Sequence, residues 1–127
     1  MLVQGNTVAV SHSGLSKNEM EVWSAVWVAN NKYPNISMDL LLDLADWECK
    51  LNIPTEKCVG DSGKAVGRWQ WWQSSWDIYN KKFGTNLNRN NTNDQAVMTA
   101  RVILDGGIWN WKNYAKAHYS VLGDLIK

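Results

Sequence analysis

Helical periodicity governs most of this sequence and fails in one place, between Ile53 and Trp72. Ahead of the break, Ser16-Lys17-Asn18-Glu19 has the Ser-x-x-Glu form of a capping box, and Val22, Trp23, Val26 and Trp27 follow as an apolar helical face. That helix should stop near Lys32, because Pro34 disfavours helical geometry at Tyr33. Ser37 can cap a second helix, with Asp39 at its positive end and Leu41, Leu44, Ala45 and Glu48 at i, i+3, i+4 and i+7. Pro54, Gly60, Gly63 and Gly67 then replace the helical pattern with a turn-rich stretch, with room for short strands. Helical signals return after it. Ser74 or Ser75 can cap a short helix that carries Ile78 and Tyr79 and ends before Gly84. The asparagine-rich run 86–93 reads as a loop. Thr92 or Asn93 can cap a helix bearing Ala96, Val97, Ala100, Ile103 and Leu104, stopped by Gly106-Gly107. A last helical stretch is expected from about Trp109 to Tyr119. The expected class is mainly α, with one irregular or short-stranded segment around residues 53–72.

With 127 residues there is room for one domain. Residues 1–14, rich in Ser, Gly and Asn, read as a loosely attached arm, which leaves 15–127 as that domain. Thirteen basic side chains face twelve acidic ones, so the chain has no bulk electrostatic footprint for nucleic acid or an anionic membrane. No apolar run approaches the ~18 residues of a membrane span, and a monomer is expected. Cys49 and Cys58 fit no metal motif, and His12 and His118 are far apart, so neither a metal nor another cofactor is implied. The two cysteines permit one bridge. The start lacks the basic and apolar regions of a signal peptide, and for such an untargeted chain free thiols are the plainer reading.

Tryptophan is the compositional anomaly. There are nine Trp beside four Tyr and one Phe, although each buried indole N–H needs an acceptor that Leu or Phe would not. Trp23 and Trp27 are assigned to the core by their helix. For the others, a flat-ringed ligand surface is the reading the excess suggests.

One carboxylate stands out. Asp39, Asp43 and Asp46 lie off the apolar stripe of the second helix and should be solvated, whereas Glu48 lies on it beside Trp47. A carboxyl drawn toward an apolar surface loses hydration, its pKa rises, and it keeps a proton that it can donate to a leaving oxygen. The competing reading pairs Glu48 with Lys50, Lys64 or Arg68. Thirteen positions beyond Glu48 comes Asp61, in Gly60-Asp61-Ser62-Gly63-Lys64-Ala65-Val66-Gly67-Arg68-Trp69-Gln70. Its glycines permit close backbone approach, Gln70 offers an amide, and Trp69, Trp71, Trp72 and Trp76 crowd around the end of the segment. Gly-Asp-Ser-Gly is also an ordinary turn, in which Asp bonds its own backbone.

Glu48, Gly60-Asp61, Gly67 and Gln70 resemble the active-site segment of the lysozyme superfamily, in particular goose-type lysozymes and soluble lytic transglycosylases. In those families a catalytic Glu ends a helix and a loop leads to a Gly-Leu-Met-Gln-like motif, here Gly67-Arg68-Trp69-Gln70. The likeness spans roughly residues 37–114, with a weaker match over Asp94 to Trp111. It implies a lysozyme-like fold and cleavage of the β-1,4 bond between N-acetylmuramic acid and N-acetylglucosamine in peptidoglycan strands. Glu48 would be the general acid and Asp61 the candidate base, with Gly67, Trp69, Gln70 and Trp72 at the substrate and Trp109, Trp111 and Tyr114 on the opposite wall.

Two departures bear on this implication. Arg68-Trp69 replaces an aliphatic pair, and the Ala-Tyr-Asn-Ala-Gly motif is absent, leaving Tyr114 or Tyr119 to stand in for its tyrosine. Trp72 also occupies a position where goose-type enzymes often carry a further aspartate. The competing functions are therefore a transglycosylase using Glu48 alone, giving an anhydro sugar, and a catalytically silent cell-wall-binding module. Residues 1–48 hold two basic and six acidic side chains and residues 49–127 hold eleven and six, so the segment with the glycine loop is the basic one. The biological settings that fit are a phage endolysin, a virion-associated enzyme or a secreted one.

Overall fold

A computed structural model describes residues 14–118. The class is mainly helical with a small antiparallel sheet, as the periodicity predicts. The first helix, α1, runs Lys17–Lys32, and the capping box forms in full: Ser16 Oγ accepts from Glu19 N while Glu19 accepts from Ser16 N. The second, α2, runs Met38–Glu48 under a Ser37 cap. Strands β1 (Val59–Gly60), β2 (Ala65–Val66) and β3 (Trp71–Trp72) follow in the predicted break and pair antiparallel in the order β1-β2-β3. Their register sets Gly60 opposite Ala65 and Ala65 opposite Trp72. Helices α3 (Gln73–Phe83), α4 (Thr92–Leu104) and α5 (Lys112–Ala117) complete the described chain.

Several boundaries differ from expectation. Helix α3 starts straight from β3, two residues before Ser75 and without a side-chain cap, because Trp72 already supplies the extended N-cap backbone. Asn91, rather than Thr92 or Asn93, caps α4 by accepting from Asp94 N. The expected last helix is interrupted: a single turn at Ile108–Asn110 precedes α5, and Trp111 sits buried at the junction. The arm assigned to residues 1–14 lies, Gly14 apart, outside the described residues, as does Tyr119. Among the described residues no helix is long and apolar enough to cross a membrane.

The core lies where α1 packs on α4 and α2, with Val22, Val26, Leu41, Leu44, Met98 and Val102 all closed to solvent. Ala25 and Ala29 complete the inward face of α1, so Trp23 and Trp27 turn outward, 40% and 60% exposed. Their assignment to the core is corrected: residues 23 and 27 sit about 100° around the helix from Val22 and Val26. The buried indoles are elsewhere, and each has found an acceptor. Trp69 Nε1 donates to Leu41 O, Trp71 Nε1 to Thr99 Oγ1, Trp76 Nε1 to Leu87 O and Trp111 Nε1 to Trp69 O. Three of these bonds join the sheet region to the helices, so the tryptophan excess serves the docking of one part of the fold on the other.

Candidate active site

Glu48 is the last residue of α2, half-buried, at the point where the helix gives way to the bridged segment. Cys49, its neighbour, is joined to Cys58, the residue before β1, so the free-thiol reading is corrected. The bridge closes a loop of nine positions and ties the end of α2 to the sheet. None of the cations proposed as partners holds Glu48. Lys50 pairs with Asp46 at 3.9 Å, Arg68 with Glu21 at 3.7 Å, and Lys64 Nζ lies 5.2 Å from the centre of the Trp72 ring. Among the described residues no hydrogen bond or ion pair engages the Glu48 carboxyl. Burial raises its pKa above the ordinary 4.5, and the negative charge of Asp61 adds to the effect. A partly desolvated acid therefore feels the charge of a second carboxylate.

Asp61 begins the turn between β1 and β2. It and Ser62 both adopt left-handed backbone, with φ of 50° and 58°, which Asp tolerates better than most residues. Its exposed carboxylate bonds outward rather than to its own backbone: Trp72 Nε1 on β3 donates to Oδ2 at 3.0 Å. Trp72, itself 40% exposed, is thus held by Asp61 on one side and covered by Lys64 on the other. The structure brings Glu48, Asp61 and Trp72 into one electrostatic neighbourhood.

Gln70 and Gly67 contribute differently from the expectation. Gln70 is left-handed (φ 53°), and its amide nitrogen donates to Cys58 O and Gly67 O at 2.8 and 2.9 Å. Gly60 leaves room for it, since a Cβ there would sit 2.6 Å from Gln70 Oε1. Gly67 has φ 84°, and a Cβ there would meet Gln95 Nε2 at 2.1 Å. Gln95, buried on α4, uses that nitrogen on Val66 O and Arg89 O and accepts from Trp69 N through Oε1. Gln70 and Gly67 therefore build the strand pairing under the site. A small cavity of about 80 Å³ nevertheless opens beside Gln70, Trp72, Ser75, Asn110 and Trp111.

The remaining assignments divide. Trp69, expected at the substrate, is closed to solvent, and Arg68 beside it is equally buried, so neither forms a cleft floor. Trp111 is 6% exposed and reaches the surface only at the cavity edge. Tyr114, 2% exposed, donates through its hydroxyl to Asp43 Oδ2 at 2.6 Å; burial and that carboxylate raise its pKa. It is thus engaged by Asp43, and Asp43 is not merely solvated. Trp109 is 44% exposed.

Sequence reading missed the surroundings of Trp47. This ring, 46% exposed beside Glu48, meets Tyr114 and His118 edge-on at 5.6 and 5.4 Å, while Tyr114 and His118 stack at 4.2 Å. The i, i+4 spacing of Asp43 and Trp47 on α2 was the available signal. No family model, curated protein or solved structure matches this chain.

Proposed function

We propose that this protein has a lysozyme-like fold and is a peptidoglycan-cleaving muramidase with Glu48 as its general acid. The observation that carries the reading is the state of Glu48: half-buried at a helix end, free of any ion pair among the described residues, with its pKa raised by burial and by Asp61. A structural carboxylate commonly acquires a cation, and here Lys50, Arg68 and Lys64, the cations the sequence offered, engage Asp46, Glu21 and Trp72 instead. Protonated Glu48 donates to the glycosidic oxygen as the bond to the sugar breaks. Asp61 takes a proton from water, which attacks the opposite face of the ring and inverts the anomeric centre. Trp72, fixed to Asp61 Oδ2, leaves Oδ1 as the oxygen that receives the water proton. The partly exposed rings of Trp47 and Trp72 supply contact surface for the flanking sugars.

Mass analysis of products from purified peptidoglycan tests the route. Reducing N-acetylmuramic acid ends are expected. Anhydro ends would transfer the chemistry to Glu48 acting alone, and binding without any cleavage would reduce the protein to a cell-wall-binding module.

A further inference from the structure

A second cavity, sharing no residue with the Glu48 site, opens between the end of α1, the end of α3 and α4, with a volume of about 190 Å³. Its walls are Tyr33, Phe83, Leu87, Val97 and Met98 with polar Thr85 and Asn86, and Met98 is fully buried. An apolar cavity of ~150 Å³ accepts one benzene ring, so this one has room for a ring or a chain of about six carbons. The rim is of one sign. Lys32 and Arg101 line it, and no acidic residue does. Arg101 is held in place, its guanidinium 4.3 Å from the centre of the Phe83 ring and Nη1 3.5 Å from the Tyr33 hydroxyl. Among the described residues no carboxylate forms an ion pair with it: Asp105, one turn on, feels its charge but bonds to Lys82 at 2.9 Å. A guanidinium with no ion-pair partner among the described residues, lining a largely apolar slot, is the group to bind a carboxylate head.

We propose that this cavity is a binding site for a short carboxylate with an apolar body of about six carbons, its head group between Arg101 and Lys32 and its tail against Met98 and Phe83. The proposal does not depend on the reading of Glu48. Met98 is one of four methionines, so its labelled methyl group is a resolvable reporter by nuclear magnetic resonance. Titration of the full chain with hexanoate should shift the Met98 methyl saturably and leave exposed Met20 in place. Hexan-1-ol should need at least about tenfold more, since charge-assisted hydrogen bonds contribute ~1.5–3 kcal/mol, and hexylammonium should be weaker still. Arg101→Gln should reduce hexanoate to the level of the alcohol. Lys32→Gln, a change at an exposed helix end, should weaken it by a smaller factor with folding intact. A Met98 signal unmoved by about 50 mM hexanoate, equal titration by hexylammonium, or wild-type affinity in both variants would each overturn the proposal.

Discussion

Glu48 illustrates how one side chain connects stability to chemistry. Its folded-state pKa lies above the ordinary 4.5, so the native protein holds this proton more tightly than the unfolded chain does. Stability therefore falls as pH rises from 4.5 through the raised value, and the loss is complete above it. Glu48→Gln removes a charge that burial disfavours. Thermal melts should show the variant more stable than wild type at neutral pH, with the difference vanishing below about pH 4; a variant less stable at neutral pH would contradict the assigned environment. If Glu48 is the general acid proposed, the same shift orients the activity profile: cleavage should fall as pH climbs through that raised value, because the acid has lost its proton. Gly67 makes a different kind of claim. Ala at φ 84° costs ~1–2 kcal/mol, and displacing Gln95 adds ~1–3 kcal/mol for broken buried hydrogen bonds. Denaturant melts of Gly67→Ala should lose about 2–5 kcal/mol, and near-wild-type stability would show that Gln95 is not the clamp described. The sequence names Gly67 and Gln70 as special, since glycine and a lone amide are visible there. It does not show that their partners are Gln95 and the Cys58 carbonyl, because those contacts close over 28 and 12 positions.

At the level of elements, local rules were sufficient for the helices and insufficient for their faces. The capping box, the Ser37 cap, Pro34 and Gly84 set the ends of α1, α2 and α3, since each acts within a turn of itself. Which tryptophans turn inward depends on a free backbone carbonyl or hydroxyl elsewhere in the fold. Trp69 found Leu41 O and Trp71 found Thr99 Oγ1, each 28 positions away, and no pattern within either segment records this. The break at residues 53–72 was legible as a break because Pro and Gly act locally, but its strand register was not. The bridge is the element-scale device that fixes α2 to β1. Closing a loop of about ten residues contributes ~2.5–3 kcal/mol through the unfolded chain. Reduction, or the double change Cys49→Ala with Cys58→Ala, should lower the unfolding free energy by roughly that amount. Under the proposed function, peptidoglycan cleavage should fall further than the melt alone explains, because Glu48 and the Asp61 turn lose their tether. Unchanged melting after complete reduction would remove the bridge from the account.

Across the whole molecule, the sheet sits against the helical body through hydrogen bonds that span 26 to 42 positions, from Trp69 N to Gln95 and from Trp111 to Trp69 O. This docking is what carries Asp61, on a hairpin turn, into the field of Glu48, at a helix end. The candidate acid and base were readable as residues; their proximity is a property of the assembled fold. Trp72 supplies the link between them and the exposed aromatic surface, with its indole N–H on Asp61, Lys64 over its ring and the residue 40% exposed. The most direct test compares wild type and Glu48→Gln for release of reducing sugar from purified peptidoglycan, with folding of both followed by thermal melts. The account predicts steady release by the wild type and a loss of about 10²–10⁴-fold in a fully folded variant, the range for removal of a general acid. Release by folded Glu48→Gln at the wild-type rate would contradict it.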